Sequence, residues 1–352
     1  MRNMRRWIGA AAVPVLVLAG GATLSGTATA LPDTGSVAGA VGNDSAVAFD
    51  ADGTTFHGSL RTPEIPAVAA ALLLPGSGPT DRNGNQPGIA SDTLVRLADT
   101  LATHGIASLR FDKIGAGETG LGAYTPETVG EYGFTDQVDH AEAAARLLAE
   151  RTGVAPTDIL VLGHSEGALT ALALADRGVG DGFALLQPLP MRYLDLLSAQ
   201  LTALADSGQL GADADAVRAE LPRTVESLRT TGTVPADQHP IVAQLGLNAA
   251  NAKFLAEADS LDPRESASTL AAGTPVLLTC SDKDLNVSCA QVEGLRTALG
   301  HTDLQFAHLT TANHGLEELG PLQPGPADLV ALLPPSFEFS AALDAWASEL
   351  GR

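Results

Sequence analysis

A serine hydroxyl attacks a carbonyl only when a base takes its proton, so a hydrolytic serine needs a histidine and an acid that orients it. The run Gly163-His164-Ser165-Glu166-Gly167 supplies a candidate serine. It follows the apolar stretch Asp158–Leu162 and leads into the helical pattern Glu166–Asp176, which puts Ser165 on a sharp strand-to-helix turn. Glycine is needed on both flanks, because a Cβ there would meet the neighbouring strand or helix. The plainer alternative is a serine that only makes the turn.

On such a turn the acid and then the histidine follow later in the chain. The predicted strand Thr274–Cys280 runs into Ser281-Asp282-Lys283-Asp284, and a carboxylate at the carboxyl end of a strand can reach the crevice above a sheet. Asp282 and Asp284 both qualify. Of the eight histidines, only His301, His308 and His314 come after these acids. His301 opens the predicted strand Asp303–Leu309 and His308 lies within it, so both read as structural. His314 sits in the loop just past that strand, where a side chain can swing to the serine. His164 points away from its neighbour Ser165 and is expected to pack or hydrogen-bond under the turn.

A tetrahedral intermediate also needs donors aimed at its oxygen. The backbone N–H of Glu166, next after the serine, is one candidate. The other is expected in Pro75-Gly76-Ser77-Gly78-Pro79, at the N–H of Ser77 with Gly78 as the near alternative. No Gly-Lys-Ser/Thr follows that loop, which argues against a phosphate cradle. The Glu166 carboxylate, in a first helical turn, is favoured by the helix dipole without a catalytic role.

The elements that must carry these residues alternate along the chain. Strands are predicted at Ala46–Phe49, Thr54–Leu60, Ala67–Leu74, Ile106–Phe111, Asp158–Leu162, Gly182–Leu186, Thr274–Cys280 and Asp303–Leu309, enough for one eight-stranded sheet. Helices are predicted at Asp92–Thr103, Thr135–Arg151, Glu166–Asp176, Ser288–Leu299 and Phe339–Leu350. Asp52-Gly53 reads as a hairpin turn joining an antiparallel first pair, and Pro321–Pro335 as a surface loop. Residues 191–268 break the rhythm with Ala/Leu-rich helical segments such as Leu194–Leu204 and Asp213–Leu221. This is an α/β chain: a mostly parallel sheet with helices on both faces, and a helical cap inserted between core segments 31–190 and 269–352.

A chain of 352 residues with 45% hydrophobic and 17% charged residues can bury a large core, and its net charge of −21 repels nucleic acid and anionic membranes. Residues 1–30 have the arginines, apolar run and Ala28-Thr29-Ala30 site of a cleaved signal peptide, giving a secreted chain that starts at Leu31 and keeps no membrane anchor. That leader holds three arginines and no acid, so its loss takes the charge to −24. Arg5-Arg6 leaves twin-arginine export open, and Leu31-Pro32-Asp33-Thr34-Gly35 is a chance wall-sorting match, far from the C-terminus. In an oxidising compartment Cys280 and Cys289 are expected to form a disulfide, and no His or further Cys stands at ligand spacing around them for a metal.

These motifs resemble the α/β-hydrolase superfamily, specifically bacterial carboxylesterases of its serine-aminopeptidase-like branch. The resemblance is carried by Leu74 to Asn85, by Phe111-Asp112-Lys113-Ile114-Gly115-Ala116-Gly117-Glu118, by Gly163 to Gly167, by Asp284-Leu285-Asn286-Val287 and by Asn313-His314. Ile114 stands where the branch has Arg, and Ser281 where it has Gly. The resemblance implies an α/β-hydrolase fold, selects Asp284 over Asp282, and places a substrate-selecting lid at 191–268. It implies a serine hydrolase cleaving small-molecule carboxylic esters without a cofactor, and the Ala/Leu-rich lid, with aromatics at 4% of the chain, points to small to medium acyl groups. A peptidase or acyltransferase on the same triad is the alternative, and a non-catalytic binding protein a more distant one. The sequence carries no signal for oligomeric state.

Overall fold

The computed structural model describes residues 43–325, 328 and 331–350. The leader expected at 1–30 and four residues of the Pro321–Pro335 loop lie outside them. β1 (Asn43–Ala51) and β2 (Thr54–Thr62) form a hairpin whose turn residues Asp52 and Gly53 both have positive φ, as an Asp-Gly two-residue turn requires. β3 (Ala69–Leu74), β4 (Ile106–Phe111), β5 (Leu160–His164), β6 (Gly182–Leu186), β7 (Pro275–Ser281) and β8 (Asp303–Leu309) complete one sheet in the order β1-β2-β4-β3-β5-β6-β7-β8. β1–β2 and β2–β4 pair antiparallel, and all the other pairs are parallel.

β3, β5 and β6 read Ala-Ala-Ala-Leu-Leu-Leu, Leu-Val-Leu-Gly-His and Gly-Phe-Ala-Leu-Leu, and are buried along nearly their whole length. Such continuous apolar runs belong in the middle of a sheet covered on both faces. Alternate side chains divide the core accordingly. Leu73, Leu160, Leu162 and Leu186 pack with α1 (Thr93–Thr103) and α10 (Phe337–Leu350). Leu72, Leu74, Val161 and Leu185 pack on the other face with α2 (Phe134–Thr152), α3 (Glu166–Asp176) and α9 (Cys289–Ala298). Five helices lie between β6 and β7: α4 (Tyr193–Asp206), α5 (Ala214–Thr231), α6 (Pro240–Gln244), α7 (Ala252–Ser260) and α8 (Pro263–Thr269).

The boundaries moved where local chemistry outweighed the apolar pattern. β5 starts at Leu160 instead of Asp158, because Pro156–Asp158 curl into a 3-10 turn. β3 starts at Ala69, leaving Val68 exposed. The segment expected to end at Leu221 continues through Pro222 as α5, since Val217, Leu221, Val225 and Leu228 form one buried face that spans the proline.

The sheet order reverses direction at β3, whose neighbours are β4 on one side and β5 on the other. At such a switch point the loops after adjacent parallel strands diverge and leave a crevice at the carboxyl ends. The Pro75–Pro79 loop and Ser165 follow β3 and β5 there.

Candidate active site

Ser165 is the residue between β5 and α3, with φ 55° and ψ −119°, a conformation that L-residues rarely hold. The two glycines make it possible. A Cβ on Gly163 would lie 2.2 Å from the Gly167 carbonyl carbon, and one on Gly167 would lie 2.3 Å from the Leu74 oxygen. The turn is therefore pressed against itself and against the end of β3. The Ser165 N–H donates to the Leu186 oxygen at 2.9 Å, tying the turn to β6.

The structure brings Ser165, His314 and Asp284 into one hydrogen-bonded line. The Ser165 hydroxyl lies 3.0 Å from His314 Nε2, and His314 Nδ1 lies 2.8 Å from Asp284 Oδ2. The second Asp284 oxygen accepts the N–H groups of Asn286 at 2.7 Å and Val287 at 3.0 Å. With a carboxylate at Nδ1, that nitrogen carries the proton and Nε2 presents a lone pair to the hydroxyl. Asp282 goes elsewhere, pairing with His308 Nε2 at 2.7 Å on the exposed side of β7 and β8. His301 lies in the turn before β8 instead of opening it, its ring nitrogens near the Ala298 and Leu270 oxygens.

The loop that carries His314 is fixed from below. The His164 Nε2–H donates to the His314 carbonyl at 2.7 Å, and burial, followed by the neighbouring His314, lowers the His164 imidazole to about 4. Fully buried Gln187, at φ 46°, donates from Nε2 to the Asn313 carbonyl at 2.8 Å. Asn313 and Glu317 exchange backbone and side-chain hydrogen bonds.

At the expected donor positions, the Glu166 N–H is the first of α3 and has no acceptor within the helix. The Pro75–Pro79 loop touches the turn closely: a Cβ on Gly76 would lie 3.4 Å from Ser165 Cβ. The Ser77 carbonyl is turned toward Gln86 Nε2, 2.6 Å away.

Glu166 does lie in the first turn of α3, where the helix dipole favours a carboxylate, but the structure adds partners that sequence reasoning missed. Glu166 is completely buried and paired with Lys113 Nζ at 3.1 Å, with Gln137 and Tyr193 as further donors. The sequence signal was Lys113 itself, a cation two residues past the end of a buried strand. Cys280 and Cys289 are joined in a disulfide. His308, facing Cys280 across the β7–β8 pair, brings a ring nitrogen within 4.8 Å of both sulfurs, which chain spacing had not suggested. Sulfurs bonded to each other are not thiolate ligands. Among the described residues no helix is long and apolar enough to cross a membrane.

The profile of the family described as "Serine aminopeptidase, S33" matches residues 89–318, from just before α1 to just past His314. Among solved structures the chain is similar to the Pyrococcus furiosus esterase Pf2001, at 14% identity and a TM-score of 0.52 over 88% of this chain and 93% of that one. It is similar to Est1E from Butyrivibrio proteoclasticus at 16% identity and 0.50, over 87% and 98% of the two chains. It is similar to a 2,6-dihydroxy-pseudo-oxynicotine hydrolase at 16% and 0.51, over 87% and 68%. Comparison with curated protein sequences gives no match. Identities this low speak for the fold, while the profile covers well over half of the chain. The sheet order, the strained serine turn and that match together make this chain an α/β hydrolase belonging to the serine aminopeptidase, S33 family.

Proposed function

We propose that this protein is an exported serine hydrolase that cleaves carboxylic esters through an acyl-enzyme. The observation that carries the reading is the unbroken hydrogen-bonded line from Ser165 through His314 to Asp284. Ser165 Oγ adds to the ester carbonyl while His314 Nε2 takes its proton, and the negative charge moves to the carbonyl oxygen. The N–H groups of Ser77 and Glu166 receive that oxygen. Ser77 precedes the residues matched by the family profile, so its assignment rests on the packing of its loop against Ser165. The intermediate expels the alcohol, which leaves with the proton from His314. Water then adds to the acyl-enzyme by the same route in reverse and releases the acid. Asp284 stays ionised, holds the productive tautomer and stabilises the imidazolium.

The leader pattern and the Cys280–Cys289 bond support export. Helices α4–α8 act as the cap over the site, and their Ala/Leu-rich sequence suits small to medium aliphatic acyl groups. The family description favours one second reading, an aminopeptidase. Such an enzyme needs a carboxylate for the substrate ammonium, and those of Glu166 and Asp284 are already paired with Lys113 and His314. The test is nitrophenyl esters of increasing chain length against amino-acid nitroanilides, with wild type and Ser165→Ala. Ester turnover should fall by several orders of magnitude in the variant, to the roughly 10³-fold rate over water left by oxyanion stabilisation alone, and fluorophosphonate labelling should vanish. A variant that keeps its turnover and its label would overturn the reading. Preferential anilide cleavage by the wild type would replace ester with amide.

A further inference from the structure

Lys113 and Glu166 form an ion pair whose side chains are only 7% and 1% exposed. Five parts of the chain meet at it. Lys113 lies just past β4, and its ammonium also donates to the Gly76 carbonyl at 2.7 Å, in the loop after β3. Glu166 opens α3, and its Oε1 accepts from Gln137 Nε2 of α2 at 3.1 Å. Its Oε2 accepts from the Tyr193 hydroxyl of α4 at 2.8 Å. Burial, then the nearby Glu166, hold that hydroxyl well above its usual range, so it remains a donor at any working pH.

Desolvating two charges costs about as much as their attraction returns, and an apolar pair of similar volume often serves stability as well or better. A buried pair in this place therefore points to geometry. The peptide between Gly76 and Ser77 is trans, so its C=O and N–H point in opposite directions. Fixing the carbonyl of Gly76 on Lys113 fixes the direction of the Ser77 N–H. Lys113 is in turn held by the side chain of Glu166, the residue whose own N–H is the other proposed donor.

We propose that Lys113 is a positioning residue for the oxyanion hole. Through the Gly76 carbonyl it sets the Ser77 N–H, and through Glu166 it holds the two donors at one spacing, with Tyr193 tying the arrangement to the first helix after β6. This deepens the reading of Ser165 as nucleophile and rests on it.

The test is steady-state hydrolysis of a short-chain nitrophenyl ester by the full mature chain, alongside its melting temperature. Lys113→Met should lower kcat by 10²- to 10³-fold, the range for loss of one oxyanion donor, with KM changed less than threefold. Lys113→Met combined with Glu166→Gln leaves no unpaired buried charge and should regain most of the melting temperature while kcat stays at least 100-fold down. Lys113→Arg, which restores a cationic donor for Gly76, should recover at least tenfold over Lys113→Met. A double variant that regains kcat together with its melting temperature would show a purely structural role and overturn the proposal, as would Lys113→Met with kcat within fivefold of wild type. Should Lys113→Met not fold, the double and arginine variants decide by the same criteria. Ester hydrolysis that is lost in Ser165→Ala yet stays within fivefold of wild type in Lys113→Met overturns this proposal alone. Hydrolysis that survives in Ser165→Ala overturns the reading of the site along with it.

Discussion

At the scale of single residues, what separates the acids is direction. Asp284 is turned inward, with its two oxygens divided between two backbone N–H groups and His314, whereas Asp282 faces outward to His308. Asp284→Asn should therefore cut kcat by about 10⁴, because an amide at that place favours the tautomer with its proton on the wrong nitrogen. Asp282→Asn should change kcat less than twofold, and kinetics showing the reverse order would exchange the two assignments. His164 gives a pH prediction. Its imidazole is lowered to about 4 in the folded chain and returns to about 6.5 on unfolding. Between those values the unfolded chain holds a proton that the folded chain does not, so stability falls as pH drops through this window, by at most about 3 kcal/mol. Burial lowers His140 in the same direction, so its share remains when His164 is replaced. His164→Gln can still donate to the His314 carbonyl and should flatten the melting-temperature slope between pH 6.5 and 4. An unchanged slope would assign the effect to other groups.

At the scale of elements, the site is assembled from strand ends whose connections are pinned by short, specific contacts. The disulfide joins the end of β7 to the start of α9 and encloses Asp284, nine residues of separation closing a small loop. On the chain-entropy account that closure contributes about 2.5 kcal/mol. Replacing both cysteines by serine should lower the melting temperature by several degrees. It should also reduce kcat at 25 °C, well below unfolding, because the Asp284 loop loses one of its anchors. Unaltered kcat in the double-serine variant would show that the backbone N–H groups of Asn286 and Val287 suffice. The serine turn admits even less change. Gly167→Ala would drive a methyl group into the Leu74 and Pro75 carbonyls, which belong to the backbone and have no room to move.

At the scale of the whole molecule, three of the five helices between β6 and β7, α4, α5 and α7, are joined by buried Asp259 of α7. Its carboxylate pairs with Arg192 at 2.7 Å and Arg229 of α5 at 2.8 Å, and accepts the Leu194 N–H at 2.8 Å. Asp259→Ala would leave the Leu194 N–H and Arg192 without this acceptor, while Arg229 keeps Asp195, and should cost about 1–3 kcal/mol. If the helices form the cap, KM for longer acyl chains should rise more than kcat falls, which a chain-length series on the variant reads directly. A uniform loss of active enzyme with unchanged KM would mean that they support the core alone.

The sequence by itself determined the sheet and the identities of its chemical groups. Fully apolar runs can be satisfied only in the covered middle of a sheet, Asp52-Gly53 suits only a tight hairpin, and glycines flanking Ser165 permit a turn that other residues cannot make. Its order of serine, acid and histidine likewise narrowed the partners to a few residues. Tertiary structure alone decided what distant segments do to one another. The spacing of Lys113, Glu166, Gln137 and Tyr193 carries no period, and their meeting depends on four connections converging at one crevice. The same holds for His164 and Gln187 beneath the loop of His314, and for His308 beside Cys280. Apolar periodicity reports which face of an element is buried. Which polar group waits on the other side of that face is set by strand order and register, and those exist only in the folded chain.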